Sequence, residues 1–198
     1  MTIRMRTILV AGTGSIVGED SDLGRRAMRA GRIIAELGCN LLTGAGGGVM
    51  CLAARGFCET LGRTGRSIGI VPGNIEGLTG NKHGTLSGLT LNPKAGYPNP
   101  WVEIPIFTHL PGKDPKGDDS RNLLNVASAD VIVVLAGGNG TQAEFELGHA
   151  LGKPLIAFLG EGEVIGGYTH RKIGNLATFV QNETALWQKI EEYLSRII

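Results

Sequence analysis

Short apolar runs that stop at glycine alternate along this chain with longer stretches of helical period. Thr7-Ile8-Leu9-Val10-Ala11, closed by Gly12, predicts a buried strand. Leu23, Ala27, Ala30, Ile33, Ile34 and Leu37 then recur with a 3.6-residue period. That spacing predicts a helix capped by Asp20 or Ser21 and ended by Gly38. Asn40–Thr43 reads as a second strand, residues 49–61 as a second helix and Ser67–Val71 as a third strand. Near-continuous apolar strands separated by helices imply parallel pairing, with helices on both faces of one sheet.

Periodicity disappears from residue 72 to residue 100, a stretch rich in glycine, proline and asparagine that also holds His83. We expect loops over a ligand site there, with at most a short strand, and His83 on the loop surface. Residues 102–107 resume as a strand, and Pro105 within it argues for an edge position or a break. A helix over 119–128 precedes the most apolar strand, 131–135. A glycine loop at 137–140 leads to a helix ending near Gly152, followed by a strand over 154–158. A glycine-rich loop, a short strand near 177–180 and a final helix over 183–197 complete the pattern. The expectation is an α/β chain: a Rossmann-like, doubly wound, mainly parallel sheet in one domain spanning 1–198.

Composition narrows the function. The 198 residues carry 19 basic and 18 acidic side chains, a net charge of +1. That balance gives no footprint for duplex nucleic acid or an anionic membrane, so neither is expected as a partner. The apolar run after the charged N-terminal residues is too short for a signal peptide, and no segment approaches a membrane span. Cys39, Cys51 and Cys58 show no CxxC spacing and read as small, reduced, buried thiols, with a cytoplasmic location. Glycine is the outlier at 32 residues, concentrated at the ends of the predicted strands.

Three glycine loops share a strand–turn–helix context: Gly12-Thr13-Gly14-Ser15, Gly44-Ala45-Gly46-Gly47-Gly48 and Gly137-Gly138-Asn139-Gly140-Thr141. Residues without a Cβ let the backbone approach a ligand, and the following helix offers free N–H groups to a phosphate oxygen. The candidate ligand-binding set is therefore Gly12, Gly14, Ser15, Gly44, Gly46, Gly47, Gly48, Gly137, Gly138, Gly140 and Thr141, with Arg121, Asn122 and Glu144. The ligand expected is a phosphorylated small molecule. An ordinary dinucleotide site is disfavoured, because Gly12, Gly14 and Gly18 are spaced one residue too long and Thr43-Gly44 stands where an acidic residue would close the second strand. No Gly-Lys-Ser/Thr run marks a P-loop. Arg121 could clamp a phosphate or be a solvated surface arginine. Glu144 could reach back to Thr141 in a capping box or hydrogen-bond a ligand. Glu146 and His149 read as packing or rim residues. No His/Cys/Asp cluster has metal-ligand spacing.

The blocks Thr43-Gly44-Ala45-Gly46-Gly47-Gly48-Val49-Met50, Ser120-Arg121-Asn122 and Gly137-Gly138-Asn139-Gly140-Thr141-Gln142-Ala143-Glu144 resemble the signatures of the SLOG superfamily. That group includes Lonely Guy-type phosphoribohydrolases and molybdenum cofactor carrier proteins, and the resemblance spans roughly residues 7–160. In the hydrolase branch, Arg121 and Glu144 would match the catalytic arginine and glutamate. This chain departs from that branch, with Asn122 in place of lysine, Ala136 in place of proline and Ala143 in place of the first glutamate. Ser120-Arg121-Asn122 and Gly96-Tyr97-Pro98-Asn99-Pro100-Trp101 are more similar to the carrier branch. The resemblance thus implies a homodimer or homotetramer that binds molybdenum cofactor (molybdopterin) by its phosphate, with no catalytic residue. The alternative is hydrolysis of a nucleoside 5′-monophosphate.

Overall fold

A computed structural model of the chain describes residues 4–76, 90–110 and 120–197. Strands β1 (Thr7–Ala11), β2 (Asn40–Thr43) and β3 (Ser67–Val71) alternate with helices α1 (Asp22–Glu36) and α2 (Gly48–Cys58). A short pair, β4 (Gly73–Glu76) and β5 (Thr90–Pro93), precedes β6 (Ile104–Phe107). Then come α3 (Arg121–Ser128), β7 (Val131–Val134), α4 (Asn139–Ala150) and β8 (Leu155–Phe158), followed by α5 (His170–Ile173), β9 (Thr178–Val180) and α6 (Glu183–Arg196).

The main sheet has the order β6-β3-β2-β1-β7-β8-β9. Every pairing within it is parallel. The Rossmann-like architecture expected from the pattern is therefore present. The chain winds outward from β1 to β6 and returns beside β1 as β7, which puts the reversal of strand order between β1 and β7. In such sheets ligands gather outside the carboxyl ends of the strands at that crevice.

Side-chain alternation along β1 shows how the two layers form. Ile8 and Val10 join a core with α1, α2 and α6 residues, including Ile34, Phe57 and Leu186. Leu9 and Ala11 face the opposite cluster, with Val126 of α3, Phe145 of α4 and Ile173 of α5. Both faces of a parallel strand must be covered, which is why these strands read as unbroken apolar runs. Of the two candidate caps for α1, the structure uses Ser21, whose hydroxyl accepts from Gly24 N at 3.0 Å. Helices α1 and α2 approach closely where Gly31 and Gly56 lack a Cβ, since a methyl at either would strike a backbone carbonyl of the other helix.

Several boundaries differ from the sequence expectation. Helix α2 ends at Cys58, three residues early, and the chain turns through Gly62 at φ +74°. The stretch from residue 72 contains two strands paired antiparallel in a separate ribbon. His83 lies outside the described residues. Pro105 does sit on an edge strand, since β6 pairs with β3 alone. Helix α5 is a single turn within the glycine-rich loop expected after β8, and its four residues are too few for a period to register.

Candidate functional site

The three glycine loops converge at the crevice. Thr13 N donates to Ala136 O at 3.0 Å, tying the first loop to the end of the neighbouring strand. Val49 N donates to Thr13 O at 3.0 Å, which seats the same loop on the start of α2. The second loop needs a left-handed backbone at Gly48, φ +57°, and a Cβ there would run into the carbonyl oxygens of Ser15 and Thr13. Ala45 holds φ +61° without that freedom. Its conformation is pinned by neighbours: Ala45 N donates to Thr43 Oγ1 at 3.1 Å, and Asn99 N donates to Ala45 O at 2.9 Å. Asn99 Nδ2 also donates to Gly46 O at 2.9 Å. The segment after the ribbon is thereby strapped onto the loop.

The third loop carries a correction. Gly138, not Thr141, is the N-cap of α4, and no side chain caps this helix. Thr141 lies inside the first turn and Glu144 inside the second, so the capping box does not form. Glycine at the cap lets the chain enter the helix three residues earlier than a Thr cap would allow. The consequence is chemical. Gln142 N, donating to Gly138 O at 2.9 Å, is the first N–H that α4 engages internally. The N–H groups of Asn139, Gly140 and Thr141 have no partner within the helix, at the positive end of its dipole.

Arg121 opens α3 directly after its cap, Ser120, whose hydroxyl accepts from Asn122 N at 3.2 Å. It is buried, at 8% exposure, and not a solvated surface arginine. Nη1 donates to Gly44 O at 2.7 Å, which hangs the guanidinium on the second loop. Nε is buried with no hydrogen-bond partner among the described residues. The residue also lines the cavity at this crevice, where its guanidinium charge is suited to an incoming anion.

These elements enclose a cavity of about 450 Å³. Among the candidates, Gly12, Gly14, Arg121, Asn122, Gly138, Gly140, Thr141 and Glu144 line it. Ser15, Gly44, Gly46, Gly47, Gly48 and Gly137 do not, and shape or support the loops instead. Thr13, Met50, Tyr97 and Asn139 line it without having been selected. Tyr97 comes from the strapped segment, and its hydroxyl and Met50 Cε both close on Gly46. Their presence in the blocks that carry the family resemblance was the available signal.

Glu144 is buried, at 6% exposure, and accepts from Asn125 Nδ2 at 2.9 Å. Burial pushes its carboxyl above the usual range, against the opposing pull of Arg121 and the Asn125 amide. Glu146 accepts from Gln142 Nε2 at 2.8 Å and Tyr168 Oη at 3.0 Å and does not line the cavity. His149 is exposed on the far turn of α4. All three cysteines are free. Cys39 is buried and its thiol is pushed up to about 11 by burial, whereas Cys51 and Cys58 are only half-buried. Among the described residues no group of His, Cys, Asp and Glu is placed to hold a metal ion, and no helix is long and apolar enough to cross a membrane.

Fold and cavity together define a Rossmann-like α/β protein with a glycine-lined cavity at its topological switch point. The sequence profile of the SLOG cluster4 family matches residues 5–187, and the chain belongs to that family. Among solved structures it is similar to the molybdenum cofactor carrier protein of Chlamydomonas reinhardtii, at 23% identity and a TM-score of 0.68 over 98% of this chain and 100% of that one. It is also similar to the molybdenum cofactor binding protein of the phototrophic bacterium Rippkaea orientalis, at 24% identity and a TM-score of 0.67 over 98% and 99%. A more distant likeness, at 18% identity and a TM-score of 0.59 over 94% and 80%, is to DNA processing protein A of Helicobacter pylori. At these identities the likeness establishes the fold. A search of curated proteins gave no match.

Proposed function

We propose that this chain binds molybdenum cofactor, or a closely related phosphorylated pterin, and holds it without chemical change. The carrying observation is the meeting of two anion-seeking features in one cavity: the uncapped first turn of α4, and the guanidinium of Arg121, held on the second loop by Gly44 O. A terminal phosphate would lie against Gly138, Asn139, Gly140 and Thr141, within reach of the guanidinium. Glycines 138 and 140 leave the approach open, because nothing lies within 4 Å of where a Cβ would stand at either. Met50 and Tyr97 would pack against a flat ring, and Glu144 would hydrogen-bond its polar edge. The similar carrier and binding proteins support the choice of ligand.

Nucleoside monophosphate hydrolysis is the weaker reading. Asn122 supplies no second cation, and Ala143, fully buried, supplies no second carboxylate. By the same family likeness the protein would act as a homodimer or homotetramer, in the cytoplasm and as one domain over 1–198.

Native mass spectrometry tests the proposal on the purified protein beside its Arg121→Ala variant. The expected result is a phosphorylated pterin retained by the wild type and lost by the variant. An empty wild type that gains no thermal stability from molybdopterin or AMP would overturn it. Release of adenine from AMP, abolished by Glu144→Ala, would instead favour the hydrolase.

A further inference from the structure

Asn125 is fully buried on α3, one helical turn beyond Arg121, where α3 packs on α4. Its Nδ2 donates to Glu144 Oε1, yet its own Oδ1 is buried and has no partner among the described residues. A leucine would fill such a place without leaving an acceptor unpaired. Packing alone therefore does not account for an asparagine there, and its one bond points to Glu144. That bond commits Oε1 inward and leaves Oε2, which has no hydrogen bond among the described residues, as the oxygen available to the cavity that Glu144 lines.

We infer that Asn125 is a positioning residue: it fixes which oxygen of Glu144 meets the ligand and lowers the pH at which that carboxyl ionises. As an amide donor it favours the carboxylate over the acid and so opposes the burial that drives Glu144 toward its neutral form. Among the described residues the charge that bears on Glu144 is Arg121 of α3, while Glu146 on Glu144's own helix is turned to Gln142 and Tyr168. With Nδ2 donating to Oε1, the proton of neutral Glu144 sits on Oε2. Below its ionisation Glu144 then offers a donor to a ring nitrogen or oxo group, and above it an acceptor for a ring N–H. The ligand-facing part of this inference rests on the cavity being the binding site proposed above; the ionisation part does not.

The two parts are separable by experiment. Carboxyl carbon-13 NMR of glutamate-labelled, ligand-free protein reads Glu144 directly, its signal being the one missing from Glu144→Gln. In wild type it should titrate above the other glutamates. In Asn125→Leu it should titrate higher still, by about half a pH unit or more. Asn125→Val removes the same donor with a side chain nearer in size to asparagine and should move the midpoint in the same direction, which covers a failure of the leucine variant to fold. The midpoint of AMP or molybdopterin affinity against pH should follow the same displacement. An unmoved Glu144 titration in both variants overturns the inference. If the titration moves but neither AMP nor molybdopterin binds at any pH, the hold of Asn125 on Glu144 is upheld and the ligand reading falls.

Discussion

Replacing Gly140 by alanine separates ligand binding from folding. In the free protein the new methyl meets nothing within 4 Å, and the residue lies in the first turn of α4 without a positive φ. Alanine loses less backbone entropy there than glycine, so the ligand-free variant should gain about 0.5–1 kcal/mol. For a domain of this size that raises Tm by about 1–4 °C. The ligand sees the opposite effect. A methyl at Gly140 stands in the cavity where a phosphate oxygen would approach the free N–H groups, and pushing the anion back removes a charge-assisted hydrogen bond. Such a bond contributes about 1.5–3 kcal/mol, or roughly 10- to 150-fold in affinity.

Thermal unfolding with and without ligand reads both effects at once. At 100 times Kd a ligand stabilises by about 2.7 kcal/mol; a tenfold weaker Kd leaves about 1.4 kcal/mol at the same concentration. The ligand-induced rise in Tm should fall by about 3–5 °C in Gly140→Ala while the baseline Tm rises. Gly18→Ala is the control, because a Cβ there is equally unopposed but lies outside the cavity. A full ligand-induced rise in Gly140→Ala, or the same loss in Gly18→Ala, would refute a close approach of the ligand to the α4 loop.

Other outcomes follow from the same geometry. Arg121→Lys should bind about 10-fold or more weaker by calorimetry, because an ammonium cannot donate to Gly44 O and to an anion in the fork geometry of a guanidinium. Glu144 has a folded pKa above its ordinary value of 4.5, so its contribution to stability is complete below that value and declines as pH rises through the folded pKa. Glu144→Gln should flatten this decline in a series of unfolding midpoints between acid and neutral pH. An anion beside Arg121 weakens the attraction of that cation for the Glu144 carboxylate, so binding should take up protons; calorimetry in buffers of different ionisation enthalpy should detect the uptake, and Glu144→Gln should abolish it. With its thiol near 11, Cys39 is ionised to about one part in a thousand at pH 8, and should resist iodoacetamide until the protein unfolds.

The sheet was readable because its strands are short apolar runs with hard glycine stops, and Pro105 revealed the edge strand for the simple reason that proline cannot donate to an inner ladder. The ribbon of β4 and β5 was not readable. Gly73, Asn74, Asn92 and Pro93 carry no alternation, and the pair is held by its own backbone ladder. At the site, the glycine loops announced themselves, but their division of labour did not. Gly48 is required by a close approach to Ser15 and Thr13, whereas Gly140 faces open space, and only coordinates separate the two reasons. Thr141 to Glu144 matched a capping pattern that fails because glycine at 138 starts the helix earlier. Asn125 gave no signal, since one asparagine in an amphipathic helix reads as a surface residue until Glu144 is found against it.

The charge arrangement bears on the choice between holding and cleaving a ligand. Cleaving an N-glycosidic bond calls for stabilising a developing positive centre while a base departs, work for which a pair of carboxylates in different charge states is well suited. Here Glu144 is a single carboxyl driven toward neutrality by burial, and Ala143 beside it is apolar and fully enclosed. Arg121 and the first turn of α4 supply positive potential, which favours a phosphate but opposes a cationic sugar nearby. A site with those signs would lower the energy of an anion bound there in its ground state. On the proposed carrier reading, the binding energy of such a site would be expressed as affinity more than as rate.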